Sequence, residues 1–410
     1  MNTFLIFIFL IIIGEFCIEK YLLYRNVKAM SNEIPNEVED LYDSKTYKKQ
    51  QSYQMTNTKF SILKDSISTL FILVLFGFCF YGDIFNYASS LTDNMLFANL
   101  ITMVILLLIP KLLISIPFGI YDTFVIEQKF GFNKTTPLLF IKDTVISCLM
   151  SIIISGFIFT IVYLLYEWIG LWFILGAFVF TMLFQFIMVF LYSDIIVPLF
   201  NKQTKLEDGV LRRKILALSN RIGFDVKDIY VLDASKRTTK ANAYFTSFGS
   251  KKRIVLYDTL INDLTTNEIL AVLIHEIGHY KHKHILKSFI TSGIDTLLSY
   301  CLFGVVLTFI NVGNIMGNLM FSFLLSYILF DVLSTPLKML SQFIENYVTR
   351  RHEYEADNFV KEYGYSTYLI SSLKILSKKT LSNLTPDKWF VKFNYSHPTL
   401  VDRIRNLEKI

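Results

Sequence analysis

Seven stretches of this 410-residue chain are apolar over about twenty residues each, the length a helix needs to cross a bilayer. They cover 3–24, 66–87, 96–120, 144–166, 168–199, 288–311 and 315–343. A chain patterned in this way cannot place all of its apolar surface in one water-surrounded core. Composition agrees, with charged residues at 18%, against roughly 25% in soluble domains. The 38 Phe and 23 Tyr exceed what one packed core uses. A disordered chain is excluded by the same numbers. The first stretch has no Lys or Arg ahead of it and no small-residue cleavage site, so it reads as a retained helix.

The loops carry a charge pattern. Lys and Arg number seven in 25–65, three in 121–143, sixteen in 200–287 and eleven in 344–410. The loop 88–95 and the turns near Glu167 and at 312–314 have none. Basic loops stay in the cytoplasm, so the expected topology has the N-terminus outside and the C-terminus inside. The net charge of +6 is then a topology signal, and no nucleic-acid partner is implied. The four cysteines lie in apolar runs without a C-x-x-C pair, which argues against a disulfide framework or thiolate zinc site.

Two expected domains follow: a membrane domain over 1–199 with five spans, and 200–410, which includes spans six and seven. The blocks 200–287 and 344–410 flank those last spans and are expected to pack together. A helix is expected over 210–222, strands over 228–233 and 253–257, and a helix over about 267–285 opened by the capping-box pattern Thr265-Thr-Asn-Glu268. The fold class is mainly α with a small β-sheet.

That last helix holds His275-Glu276-Ile-Gly-His279. Residues four apart share a helix face, so two imidazoles can grip one metal, and the adjacent carboxylate can serve as a base. Zinc is the expected cofactor, one ion per chain, and a catalytic site needs a third protein ligand. His282 lies about 10.5 Å along the axis from His275, too far to share an ion. It also sits where the longer H-E-x-x-H-x-x-G-x-x-H pattern has its glycine. His282 and His284 are therefore read as part of the basic run Tyr280–His284 at the membrane surface. The better source is Arg350-Arg-His-Glu-Tyr-Glu-Ala-Asp357, taken as a helix beginning after the last span. Glu353 and Asp357 share a face there, one to bind metal and the other to hold a ligating imidazole. Glu355 points elsewhere by helix phase, and His352 is a weaker rival ligand. Glu15 and Lys111 lie in or near spans and mark an internal pathway or aqueous interior.

Together, these residues resemble the type I CAAX prenyl proteases, integral-membrane gluzincins. The likeness extends over Phe124–Asn133, Tyr192–Asn201, Asp233–Arg237, Ala241–Phe245, Lys252–Asp258 and Ser396-His-Pro398 with Arg403. It implies a seven-transmembrane-helix barrel around a water-filled chamber, closed on the cytoplasmic side by the zinc site. It implies His275, His279 and Glu353 as ligands, with Asp357 behind them. It also implies Asn242 beside the substrate backbone, His397 as the oxyanion's partner and Arg403 next to the catalytic centre. His282 departs from the small or apolar residue often found there. The segment Thr238–Thr246 resembles bacterial relatives, giving an expectation of a bacterial inner membrane over a eukaryotic endoplasmic reticulum.

The expected activity is metalloendopeptidase cleavage, with Glu276 as general base. Its substrates would be prenylated C-terminal peptides or membrane proteins undergoing turnover, met in contact with membrane lipids. The rival is a seven-span carrier or channel with a structural zinc. That rival needs a closed four-ligand site, usually with Cys, and none lies near the motif.

Overall fold

The computed structural model describes residues 3–31, 33–40, 42–224, 226, 228–240, 243–246, 253–317 and 321–409. Four described stretches are long and apolar enough to cross a membrane: Ser44–Gly77, Met95–Phe130, Pro137–Phe200 and His284–Phe309. A fifth is formed if Phe323–Leu333 and Thr335–Glu362, bent by 56°, count as one span. The 64 residues of Pro137–Phe200 would extend about 96 Å as one straight helix. Instead Pro137–Ile169 ends at Gly170, whose φ of +56° suits a residue without Cβ, and Phe173–Leu191 folds back to pack on it. Trp168 and Trp172 flank this turn at 83% and 73% exposure, the position of interfacial anchors. The N-terminal helix Thr3–Lys28 is apolar but interrupted by Glu15, Glu19 and Lys20.

Large apolar side chains face outward along these helices, among them Leu10, Ile153 and Val179. In water such a girdle would aggregate, and against lipid it is the favoured surface. The protein is a multi-pass membrane protein. Charged groups turn inward instead. Asp331 and Lys338 pair beside a cavity of about 560 Å³ that Asp295, Tyr300 and Tyr327 also line.

Two expected spans have different limits. The stretch 66–87 is broken: one helix ends at Gly77, Cys79 takes φ +58°, and a short helix runs Phe80–Ser90. Hydropathy stays high through the break, so it is invisible to an apolar window. The stretch 315–343 is split between a short helix ending at Met316 and a helix beginning at Phe323, then bent at Ser334. Pro336 occupies the first turn of the next helix, where its missing N–H costs nothing. That helix, Thr335–Glu362, runs unbroken through the acidic cluster. The cluster therefore sits within the helix and does not start it.

The polar region holds a four-stranded sheet of β1 (Gln203–Lys205), β2 (Asp228–Leu232), β3 (Ala243–Thr246) and β4 (Arg253–Tyr257). The order is β1-β2-β4-β3, with β2 and β4 parallel and the outer pairs antiparallel. Helix Val210–Ile222 buries Ile215, Leu218 and Ile222 in the same core as Ile229, Ile254 and Leu256. The motif helix, Thr266–Lys281, adds Ile269, Leu270, Leu273, Ile274 and Ile277. Phe359 and Val360 reach this core from the long helix Thr335–Glu362, so the two flanking blocks do pack together. Each such side chain contributes about 1.5–3 kcal/mol on burial, which holds the motif helix rigidly against its partner.

Candidate metal centre

Glu268 opens the motif helix by accepting a hydrogen bond from the Thr265 backbone N–H at 2.7 Å, as the capping pattern requires. The helix then delivers His275 and His279 to the face that meets Thr335–Glu362. Gly278 permits the approach: a Cβ there would stand 3.1 Å from the Ala356 Cα and 3.2 Å from the Phe359 Cβ. The crossing places Glu353 opposite both histidines.

One ligand atom from each of His275, His279 and Glu353 lies within 4.8 Å of the others. His275 Nε2 is 3.2 Å from His279 Nε2 and 3.4 Å from Glu353 Oε2, and His279 Nε2 is 3.3 Å from Glu353 Oε1. Atoms each about 2 Å from a tetrahedral ion are about 3.3 Å apart, so the trio has the spacing of three zinc ligands. Glu353 Oε2 is buried and accepts no hydrogen bond among the described residues, although Arg403 stands 3.3 Å away. Two imidazoles, a carboxylate and an unsatisfied buried oxygen fit zinc. No fourth protein ligand joins them among the described residues.

The supporting shell is ordered. His275 Nδ1 is 3.0 Å from Asp357 Oδ1. Arg403, from the C-terminal helix Leu400–Glu408, donates through Nε to Asp357 Oδ2 at 3.0 Å and through Nη2 to Oδ1 at 2.6 Å. Burial opposes the Arg403 charge, and Asp357 and Glu353 more than offset it, so its proton is held more tightly than usual. Burial and Arg403 also push the His275 imidazole down, but the carboxylates of Asp357 and Glu353 outweigh them and raise it to about 9. The site is thus built to attract a cation.

His397 is exposed and its Nδ1 lies 3.0 Å from Glu353 Oε1. Its loop is fastened to the long helix: Arg350 Nη1 donates to the Tyr395 carbonyl at 2.6 Å, and Asn346 Nδ2 to the Phe393 carbonyl at 2.6 Å. His397 and Arg403 line a cavity of about 530 Å³ with Tyr395, Asn394 and Gln54. Glu276 is half-buried and lines another of about 320 Å³ with His279, His284 and His352. Asn242 lies outside the described residues.

Two sequence readings are corrected. His284 is 4% exposed and does not lie at the membrane surface with the basic run, whereas His282 is exposed. Its Nδ1 is 2.9 Å from His279 Nδ1, and its Nε2 is 2.9 Å from Glu355 Oε2. Glu355 therefore does face the site region. His352 stacks on His284 at 4.0 Å and is not among the trio. These contacts arise because the motif helix ends at Lys281, short of the expected 285, and Lys283 at φ +56° breaks it from the next helix. Helix phase does not carry across such a break. Arg350 was missed as well, having no local signal beyond its charge.

Comparison with known proteins extends this over the whole chain. Residues 23–202 match the family model of the CAAX prenyl protease N-terminal region with five membrane helices, and 205–410 match that of peptidase family M48. CAAX prenyl protease 1 of Saccharomyces cerevisiae is 34% identical over 97% of this chain and 94% of its own length. The human CAAX prenyl protease 1 homolog is 29% identical over 94% and 90%. The crystal structure of S. mikatae Ste24p superposes with a TM-score of 0.93 at 34% identity, covering 100% of this chain and 99% of that one. The named relatives are from yeasts, plants, an amoeba and animals, and give no support to the expected bacterial origin. The chain belongs to the CAAX prenyl protease 1 family of M48 zinc metallopeptidases.

Proposed function

We propose that this chain removes C-terminal residues that follow a prenylated cysteine, using one zinc ion held by His275, His279 and Glu353. The observation that carries the reading is the meeting of His275, His279 and Glu353, one ligand atom of each within 4.8 Å of the others, in a chain whose relatives along nearly its full length are named CAAX prenyl proteases. When bound, zinc lowers the pKa of water and polarises a peptide carbonyl. Glu276 takes the proton of the attacking water on a carboxylate oxygen and passes it to the leaving amine. His397 donates to the oxygen of the tetrahedral intermediate. Asp357 and Arg403 hold His275 in the orientation that presents Nε2. Asn242 holds the substrate backbone. The scissile bond lies between Glu276 and His397, and the peptide extends from there into the cavity beside His397 and Arg403.

The finer architecture belongs to the same proposal: seven helices form the barrel, the N-terminus is outside, the C-terminus is cytoplasmic, and the lipid-modified end of the substrate meets the membrane part. Turnover of membrane proteins is a second use open to the same site. The carrier reading has little to support it, since three ligands leave a position open and none of the four cysteines joins them.

The test is cleavage of a farnesylated CAAX peptide by purified protein in detergent. Wild type is expected to cleave, and chelator is expected to stop it. Glu276→Gln is expected to lose about 10²–10⁴-fold in kcat while keeping its zinc. Wild-type rates from Glu276→Gln would overturn the assigned mechanism, and no cleavage by zinc-loaded wild type would overturn the substrate.

A further inference from the structure

The two metal-binding histidines have different supports. His275 meets a carboxylate directly, Asp357 Oδ1 at 3.0 Å from its Nδ1. Among the described residues His279 has no carboxylate at its Nδ1, where the neighbour is another imidazole, His284 Nδ1 at 2.9 Å. The far nitrogen of that ring, Nε2, is 2.9 Å from Glu355 Oε2, and Lys287 Nζ stands 3.6 Å from the same oxygen. His352 lies parallel to the His284 ring, 12° between planes and 4.0 Å between centroids. His284 is held where it is by a tight helix-to-helix break at Lys283, a non-glycine residue in the left-handed region.

Tautomers can be assigned along this chain of contacts. A histidine that binds metal through Nε2 must be neutral there and carry its proton on Nδ1. His279 therefore donates Nδ1–H to His284 Nδ1. That nitrogen must accept, so the His284 proton is on Nε2, and it donates to Glu355. Each donor then has one acceptor.

We propose that His284 and Glu355 are positioning residues of the metal centre: together they fix the His279 tautomer and ring orientation through a histidine-to-carboxylate relay. The proposal rests on the reading of His275, His279 and Glu353 as zinc ligands. Outer partners of this kind set metal affinity because a ligand left to rotate or change tautomer binds more weakly. The aligned ring of His352 keeps His284 from swinging out of line.

The measurement is zinc affinity, by competition with a chromophoric chelator on full-length protein in detergent, with the visible spectrum of the cobalt-substituted protein as a second readout. His284→Ala is expected to weaken zinc binding about 10–100-fold and to alter the cobalt spectrum. His284→Gln, which retains an acceptor and a donor, is expected to recover part of that loss. Glu355→Ala is expected to weaken binding by less than His284→Ala, because His284 remains in place. Glu355 is partly exposed, so this variant serves if His284→Ala does not fold. His279→Ala separates the two readings. Stoichiometric zinc in His279→Ala at wild-type affinity would overturn the ligand assignment itself. Loss of zinc in His279→Ala, with wild-type affinity and spectrum in His284→Ala and Glu355→Ala, would overturn the relay alone.

Discussion

The Asp357–Arg403 pair is deeply buried, Asp357 fully and Arg403 at 9% exposure. Removing one partner from such a pair leaves the other charge without compensation, at about 3–5 kcal/mol. Asp357→Ala is therefore expected to lower the thermal midpoint sharply, and Asp357→Asn, which keeps an acceptor for Arg403, less so. Equal midpoints for Asp357→Ala and wild type would show that Arg403 finds another partner. The raised His275 pKa has a sign that can be checked. In metal-free protein its folded value is about 9, against an ordinary 6.5. Protonated His275 thus adds stability that is fully present below pH 6.5 and is lost as pH rises through about 9. Chelated protein should melt at progressively lower temperature across that window, whereas zinc-loaded protein, whose His275 is already deprotonated by the metal, should not. A flat profile for the chelated form would refute this account. At this scale the sequence showed what spacing can encode: His275, His279, Glu353 and Asp357 obey helical periodicity and were legible. His284 and Glu355 were not, because their meeting depends on the left-handed backbone of Lys283, which no residue type there announces.

Between elements, the decisive contact is the crossing of the motif helix and Thr335–Glu362. Gly278 and Ala356 are small where the backbones come closest, and a methyl at 278 would press on the Ala356 Cα at 3.1 Å. Gly278→Ala is expected to cost about 1–3 kcal/mol through overpacking and to weaken zinc binding, since it pushes Glu353 away from both histidines. Gly278→Leu should do both more strongly. Unchanged zinc affinity in the larger variant would mean that the crossing has slack. The motif itself concealed this demand: the glycine stands at a position that H-E-x-x-H leaves free. The strands illustrate the same limit. β2 and β4 were readable from runs of branched and aromatic residues, but their parallel pairing, and β1 at Gln203–Lys205, come from the way the chain returns over the sheet. The 56° bend and the break at Cys79 also lie inside unbroken apolar runs, so an apolar window saw the spans but not their interruptions.

For the whole molecule, the governing asymmetry is electrostatic. The segments 88–95 and 312–314 contain no Lys or Arg, while 200–287 contains sixteen. Each basic side chain resists transfer across the bilayer, so the proposed topology keeps these basic segments in the cytoplasm. On that proposal the metal centre, with candidate ligands from Thr266–Lys281 and Thr335–Glu362, opens to the cytoplasm. Cysteine labelling tests this directly. In a background with Cys17, Cys79, Cys148 and Cys301 replaced, Asp93→Cys and Glu207→Cys each offer one exposed thiol in a polar segment. In cell-derived membrane vesicles of known sidedness, a membrane-impermeant maleimide on the cytoplasmic face should modify Glu207→Cys and leave Asp93→Cys untouched until detergent is added. The reverse pattern would invert the topology and place the zinc site on the other side. Labelling of both from one face would remove an odd number of crossings between residues 93 and 207, and would overturn the proposal that 96–120, 144–166 and 168–199 each pass through the bilayer. The proposed three crossings would put the two residues on opposite sides, the fold-back at Gly170 making three out of what would otherwise be two. On this proposal the orientation of the metal site depends on a turn only a few residues long.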